Sequence, residues 1–170
     1  EMNRRYTREQ YLELINYAKS VMPGLVLTSD VIIGFPGETE EDFEESLEVC
    51  RKAEFLKVHA FKYSRRKGTR AWDMQDQVPG PVKNERSDRL ISTGDEVRDR
   101  FLEKEKGKTR VVLGEEISGG YFAGYTENYV RTYVKCPEGT DPDSFIGQFI
   151  TVVMGDLYED GMTAEPIDQD

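Results

Sequence analysis

The chain has 170 residues, enough for one domain of ordinary size or two small ones, and its net charge is -10 with a sequence pI near 4.8. This acidity excludes a general nucleic-acid-binding surface, so any RNA contact must be local. The sequence shows no signal peptide and no apolar run approaching the ~20 residues of a membrane helix, so we expect a cytoplasmic protein without membrane contact.

The two cysteines, Cys50 and Cys136, are far apart in the chain and form no C-x-x-C pair. Their positions favour reduced structural thiols over a metal or cluster motif. We therefore expect neither a metal ligand nor a catalytic residue in this chain.

The first half of the sequence alternates helix and strand signals. Two capping boxes mark helix starts, Thr7 with Gln10 and Thr39 with Asp42. Two strands are predicted, over residues 25–33 and 55–63. The order helix, strand, helix, strand with short connections predicts parallel strands with helical crossovers.

The first strand runs into the turn Gly34-Phe35-Pro36-Gly37, and Glu38 opens the acidic start of the next helix. A glycine-bearing loop at the carboxyl end of a parallel strand is a common ligand site. Because glycine lets a ligand approach the backbone, we expect this turn to contact a cofactor and to leave helix N–H groups free.

Each predicted strand carries one polar face, which suits a sheet whose inner side lines a barrel or a cleft. Asp30 and Lys57 are expected to be partners across that face, either as an ordinary buried ion pair or as ligand-binding groups. His59, on the same face, is expected to be a hydrogen-bonded core residue rather than a catalyst.

A basic loop follows the second strand and contains Arg65, Arg66, Lys67 and Arg70. Such a loop suits phosphate or carboxylate binding, and the alternative is an ordinary solvated loop. Pro and Gly over residues 72–82 predict a linker, and residues 84–106 read as a long charged helix.

From Lys108 onward the sequence changes to short β segments separated by turn signals. Five strands are predicted, over residues 109–117, 121–126, 129–136, 148–154 and 157–167. This number of short strands is typical of a small antiparallel barrel of the oligonucleotide-binding kind.

The third of these strands interleaves aromatic and basic residues on one face, namely Tyr129, Arg131, Tyr133 and Lys135. That pattern suits stacking on bases while phosphates are neutralised, although tyrosine also simply favours strands. A local basic cluster in an acidic region favours RNA contact; its members are Lys106, Lys108, Arg110, Arg131 and Lys135.

Five motifs in this order resemble the radical-SAM methylthiotransferase family. They are M-N-R-R-Y-T (2–7), S-D-V-I-I-G-F-P-G-E-T (29–39), V-H-A-F-K-Y-S-R-R-K-G-T (58–69), D-Q-V-P (76–79) and G-Y-T-E-N-Y (124–129). K-N-E-R (83–86) and G-Y-T-E-N-Y are closest to the branch that methylthiolates threonylcarbamoyladenosine in tRNA. The isopentenyladenosine and ribosomal-protein branches are the alternatives.

The resemblance implies an α/β partial (β/α) barrel followed by an all-β small barrel, the OB-like TRAM domain. The implied boundaries are residues 1–80 for the end of the radical-SAM barrel, 81–106 for a connecting helix and 107–170 for the TRAM domain. The family uses S-adenosylmethionine and two 4Fe-4S clusters and acts on the anticodon stem-loop of tRNA. Because the cluster cysteines are absent from this chain, we expect it to bind no cluster and to be inactive by itself.

The resemblance also implies two sets of site residues. Contact with S-adenosylmethionine is expected at Asn3, Arg4, Asp30, Gly34, Phe35, Pro36, Gly37, Glu38, Phe61, Tyr63 and Ser64. Contact with tRNA is expected at Arg66, Arg110, Tyr125, Asn128, Tyr129, Arg131, Tyr133 and Lys135.

Two other kinds of protein remain open on the residues alone: a stand-alone RNA-binding module whose α/β part is a scaffold, and an acidic protein-interaction domain. Two parallel strands cannot close a barrel and leave unpaired edges. We therefore also expect the α/β part, when isolated, to self-associate or to be partly disordered.

Overall fold

The computed structural model describes residues 4–136 and 139–167. The chain divides into two compact units, Glu1–Arg98 and Asp99–Asp170. Asn3, one of the expected cofactor residues, lies outside the described residues.

The first unit combines helices with a two-stranded parallel sheet, which confirms the predicted α/β class. Its helices are α1 (Arg8–Val21), α2 (Glu40–Ala53) and α3 (Gly80–Glu103), with a short 3-10 helix at Arg70–Trp72; its strands are β1 (Thr28–Ile33) and β2 (Lys57–Lys62). Both strands are three residues shorter than predicted. A helix precedes each strand, as the sequence indicated.

Both predicted capping boxes form. The Thr7 hydroxyl accepts from the Gln10 N–H, and the Thr39 hydroxyl accepts from the Asp42 N–H, each with the reciprocal side-chain bond. The start of α3 differs from the prediction, since the helix begins at Gly80 rather than at residue 84. Pro81 is tolerated there because the first-turn N–H groups of a helix have no intrahelical partner.

The core of the first unit lies between the helices and one face of the sheet. Its buried members are Ile15, Ile33, Phe43, Leu47, Cys50, Ala53, Phe55 and Leu90. Gly94 in α3 packs against Val58 of β2, where an added Cβ would lie 3.3 Å from the Val58 Cβ. That glycine therefore permits close approach of helix and strand, and α3 is continuous through it.

The opposite face of the sheet carries the polar residues, as predicted, but the expected ion pair is wrong. Asp30 pairs in register with His59, and Lys57 with Thr28. Asp30, Lys57 and His59 are all exposed, so His59 is not the core residue that the sequence suggested. Among the described residues no ion pair joins Asp30 to Lys57. Both charges are hydrated at the surface, and a fixed ion pair there gains little free energy over that hydration.

The second unit is a β structure whose five strands are hydrogen bonded in the cyclic order β3-β4-β5-β7-β6, so that the sheet closes on itself. The strands are β3 (Thr109–Ser118), β4 (Tyr121–Thr126), β5 (Arg131–Lys135), β6 (Phe149–Tyr158) and β7 (Gly161–Pro166), with a 3-10 helix at Pro142–Phe145. Strand β6 continues past the predicted turn before residue 157. The pairing of β5 with β7 is parallel, so the expectation of a wholly antiparallel barrel is wrong at that one place.

Candidate functional site

The turn after β1 has the shape that the two glycines predict. Gly34 has a φ of +68° and Gly37 a φ of +84°, both in the left-handed region. At Gly34 an added Cβ would lie 2.4 Å from the Cγ atom of Lys83, whose side chain crosses the glycine. The Lys83 ammonium donates to the Tyr63 carbonyl oxygen across 3.0 Å.

The hydrogen bonding of this turn corrects one expectation. The Gly34 N–H donates to the Glu38 carboxylate at 3.0 Å, and the Gly37 N–H donates to the Asp76 carbonyl at 2.8 Å. The Thr39 N–H at the start of α2 donates to Asp42. The N–H groups of Gly34, Gly37 and Thr39 are therefore used inside the protein, and the expectation of free N–H groups is wrong for these three.

The Glu38 carboxylate is held inside the protein by Arg86 of α3, at 2.6 Å from the Arg86 Nη1 atom. The side chains of Glu38 and Arg86 are 12% and 6% exposed. Because the same carboxylate accepts the Gly34 N–H, it ties the turn to α3. Its place in the structure is that of a residue that positions the turn.

Aromatic packing fixes the other side of the turn. The rings of Phe35 and Tyr63 meet edge to face with centroids 5.3 Å apart, and the Lys83 ammonium lies 5.4 Å from the Tyr63 ring centre. Pro36 is buried beside them. The Tyr63 hydroxyl is buried and has no hydrogen-bond partner among the described residues.

A small apolar surface lies in solvent at the carboxyl end of the two strands. Ile32 and Phe61 are partners in the strand register and are 44% and 50% exposed. Ser64, two residues beyond the end of β2, is exposed as well. This surface fits the flat, weakly polar face of a nucleoside better than it fits a phosphate.

Two further predicted residues of the first unit are exposed. Arg4 donates to the Tyr6 hydroxyl at 3.2 Å, close to the described start of the chain. Arg66 lies in the loop after β2. In the same loop Arg65 stacks on Trp72, with its guanidinium carbon 4.9 Å from the ring centre.

In the second unit, ion pairs neutralise most of the predicted basic cluster. Arg110 is paired with Glu105 at 2.6 Å and with Glu127 at 3.2 Å. Lys108 is also paired with Glu105, at 2.8 Å. Two more pairs are Lys106 with Asp156 and Arg131 with Glu116. The cluster is therefore not a bare positive patch, and Arg110, an expected RNA contact, is engaged by two carboxylates within the protein.

Glu105 is the centre of this pairing. Its side chain is 4% exposed, and Asn128, another predicted RNA contact, donates to it at 3.4 Å. Burial alone would raise the pKa of Glu105, but the hydrogen bonds from Lys108 and Arg110 outweigh it and lower the pKa. Asn128 thus helps to hold a buried carboxylate.

Tyr133 lies on the outer face of β5 as the alternation predicts, but it is not an exposed stacking surface. It is 5% exposed, its ring lies 5.0 Å from that of Tyr158, and its hydroxyl donates to Asp160 at 2.7 Å. Burial, with that hydrogen bond, raises the pKa of Tyr133 to about 12. The Tyr121 ring lies 6.4 Å from the Tyr133 ring as well, so neighbouring aromatic rings cover Tyr133.

Other aromatic residues remain open on the outer face of the barrel. Strand register places Phe149, Leu113, Tyr125 and Arg131 side by side across β6, β3, β4 and β5. We call these four residues the transverse row. Tyr125 is 37% exposed and Phe149 is 73% exposed. No local sequence pattern marks Phe149 or Leu113, because their neighbours are set by strand pairing and not by chain position.

Two side chains lie against the Tyr125 ring: Arg131, which belongs to the row, and Tyr129, which does not. The Arg131 guanidinium lies 5.2 Å from the Tyr125 ring centre, and the Tyr129 ring lies 6.2 Å from that of Tyr125. Tyr129 has a φ of 62° and is 76% exposed. Lys135, at the end of β5, is exposed and has no ion pair within the described ranges.

The described residues provide neither a metal-ion cluster nor a membrane-spanning helix. Within residues 4–136 and 139–167, no three His, Cys, Asp or Glu side chains are grouped so as to hold a metal ion. None of the described helices is long and apolar enough to span a bilayer.

Comparison with known proteins gives matches over most of the chain. The profile of the Radical SAM superfamily matches residues 1–50. A tRNA-2-methylthio-N(6)-dimethylallyladenosine synthase of Caldicellulosiruptor saccharolyticus is 41% identical, over 89% of this chain and 32% of the relative. A synthase of the same name from Lachnoclostridium phytofermentans is 39% identical, over 94% of this chain and 37% of the relative.

A threonylcarbamoyladenosine tRNA methylthiotransferase of Bacillus subtilis is 36% identical, over 99% of this chain and 38% of the relative. The chain thus spans about a third of the length of the curated relatives it matches. These matches confirm the resemblance to methylthiotransferases that the sequence motifs indicated. They do not separate the two nucleosides named, because relatives of both kinds match at similar identity.

Proposed function

We propose that this chain, which is homologous to tRNA methylthiotransferases over most of its length, is part of an enzyme that methylthiolates a hypermodified adenosine in tRNA. The observation that carries the proposal is that relatives named for this reaction match 89–99% of the chain at 36–41% identity. Two units of different architecture, one α/β and one all-β, agree with a cofactor part followed by an RNA part.

We place the cofactor contact at the carboxyl ends of β1 and β2. With the iron–sulfur clusters of the longer protein, S-adenosylmethionine would supply the methyl group and the radical that removes a hydrogen from the adenine ring. Ile32, Phe61 and Ser64 would lie against its nucleoside part, since they are exposed at that end of the sheet. Glu38 and Arg86 would hold the turn in place without touching the cofactor.

We assign RNA contact to the second unit, as a TRAM-type domain that meets the anticodon stem-loop. Support comes from its closed five-stranded sheet and from exposed aromatic side chains on its outer face. The contact would depend on stacking more than on charge, because the basic side chains are largely paired with acids.

We further propose threonylcarbamoyladenosine as the nucleoside, on the G-Y-T-E-N-Y segment at residues 124–129. The K-N-E-R segment at residues 83–86 supports the same branch, although two residues in each segment, among them Glu127 and Asn128, also have structural tasks. Lys83 covers Gly34, and Arg86 pairs with Glu38. Scaffold contacts of this kind serve any substrate.

The test is nucleoside analysis of tRNA from a bacterial host that lacks its own tRNA methylthiotransferases and expresses the complete gene containing this segment. Mass spectrometry should detect the methylthio form of threonylcarbamoyladenosine. A methylthio form of dimethylallyladenosine instead would correct the nucleoside but keep the reaction. Absence of any methylthio nucleoside, with the protein present by immunoblot, would contradict the proposal.

A further inference from the structure

We propose that the transverse row, Phe149–Leu113–Tyr125–Arg131, is a stacking surface for unpaired RNA bases, and that Phe149 is its outermost contact. This inference rests on the proposed function and specifies its RNA contact. The proposed ligand is unpaired RNA and not duplex RNA. The proposed contact runs across four strands, whereas the sequence pattern indicated a line along β5.

The register defines the row. Leu113 is the partner of Phe149 on one side and of Tyr125 on the other, and Tyr125 is the partner of Arg131. Directly paired residues point to the same face of a sheet. Because neighbouring strands are ~4.8 Å apart, the backbones at Phe149 and Tyr125 are separated by about 10 Å. That distance leaves room for two separate bases, with the half-buried Leu113 between them.

Two aromatic rings, Phe149 at the end of the row and Tyr129 outside it, are open surface. Phe149 is 73% exposed and Tyr129, beside Tyr125, is 76% exposed. The same domain buries Phe122 completely, so the exposure of two large aromatic rings to water is unfavourable in free energy. A stacked base would remove one face of such a ring from water.

The arrangement of Arg131 favours nucleotides over an apolar protein partner. Its guanidinium lies against both Tyr125 and Tyr133, at 5.2 and 5.3 Å from their ring centres, and Glu116 holds it there. The Arg131 side chain is only 14% exposed, so it supports the Tyr125 ring and is not itself an open stacking plane; aromatic rings are usual stacking partners of unpaired bases. An apolar protein surface would instead bury the Arg131–Glu116 ion pair, and burial of an ion pair carries a desolvation penalty.

Ion pairing of the basic residues should make RNA binding only weakly dependent on salt concentration. Four of the five residues in the predicted basic cluster are paired with carboxylates, and Lys135 is the exception among those described. Few counterions would therefore be released when RNA binds. We expect log Kd to change with log salt concentration by a slope of less than about 2.

The experiment measures binding of the 170-residue chain to a fluorescently labelled anticodon stem-loop RNA by anisotropy, at several salt concentrations. A fully paired RNA of the same composition is the comparison. The stem-loop should bind and the duplex should not. Phe149→Ala should weaken binding about tenfold without changing the salt slope, and Phe149→Trp should restore it.

Val153→Ala is the matched control, because Val153 lies on the same strand and is 38% exposed but is outside the row. It should bind like the unmodified chain. If the chain binds the stem-loop and Phe149→Ala binds equally well, the inference fails while the proposed function stands. Three other results would also overturn the inference. They are an equal loss of affinity in Phe149→Ala and Val153→Ala, equal binding of the duplex, and capture of an apolar peptide at Phe149 in place of RNA. If the chain binds no RNA, the inference and the RNA part of the proposed function fail together.

Discussion

The Arg86 guanidinium and the Glu38 carboxylate are joined at 2.6 Å in a nearly water-free position, and Arg86 also donates to the Glu38 carbonyl at 3.2 Å. This pair connects helix α3 to the turn after β1, residues that are 48 positions apart in the chain. The Arg86 Nε atom is buried without a partner in the described part of the chain. The geometry of the candidate cofactor turn thus depends on α3, a helix that is remote from it in the sequence.

Arg86→Ala should lower the free energy of unfolding of the first unit by about 3 kcal/mol, because Glu38 would be left as a buried, unpaired carboxylate. Arg89→Ala is the matched control. Arg89 also pairs with Glu40 and also lies over the Phe43 ring, but its side chain is 33% exposed. Its loss should cost less than about 1 kcal/mol. Urea unfolding followed by the fluorescence of Trp72 reports on this unit, and equal costs would refute a special role for Arg86.

The ion pairs of Glu105 should make the stability of the second unit sensitive to acid. Its folded-state pKa lies below the ordinary value of 4.5, so the stability it contributes is present above that value and is lost as the pH falls through the folded-state pKa. Glu105→Gln should therefore destabilise the unit by about 2 kcal/mol at pH 7, leaving Arg110 without its closest partner, and should flatten the loss of stability in acid.

Hydrogen exchange of the Val112 amide, measured from pH 7 down to about pH 2, checks this effect in the second unit alone. Glu103→Gln is the control, since Glu103 is exposed two residues earlier. It should leave exchange nearly unchanged. A Glu105→Gln chain with the same protection and the same acid response as the unmodified chain would show that the carboxylate contributes nothing.

The two thiols should differ in reactivity. Cys50 is 1% exposed, and burial raises the pKa of its thiol to about 11, so almost no thiolate is present at neutral pH. Cys136 is partly exposed. A disulfide reagent should label Cys136 within minutes in the folded protein and Cys50 only after unfolding. Fast labelling of Cys50 in native buffer would contradict the packing of α2 described above.

Local signals were the part of the fold that the sequence predicted well. Thr7 and Thr39 cap their helices through residues three positions away, and such contacts are visible in the chain itself. The parallel pairing of β1 and β2 followed from the helices between them. The alternation along β5 correctly placed Arg131 and Tyr133 on one face.

Contacts between distant residues were the part that it missed. Glu127 and Asp156 neutralise basic residues that are 17 and 50 positions away, so a local basic cluster was mistaken for an open surface. Tyr133 was covered by side chains from other strands. Phe149 joined Tyr125 only through the register of β3 with both neighbours. Each of these depends on strand pairing, which local patterns do not specify.

The most direct test of the account is transfer of a labelled methyl group to tRNA. The complete protein, purified without oxygen and with its clusters intact, is incubated with methyl-deuterated S-adenosylmethionine and tRNA carrying threonylcarbamoyladenosine. The account predicts a deuterated methylthio form of that nucleoside, with loss of the product when the tRNA carries unmodified adenosine. Full cofactor consumption with no label in any tRNA nucleoside would contradict it.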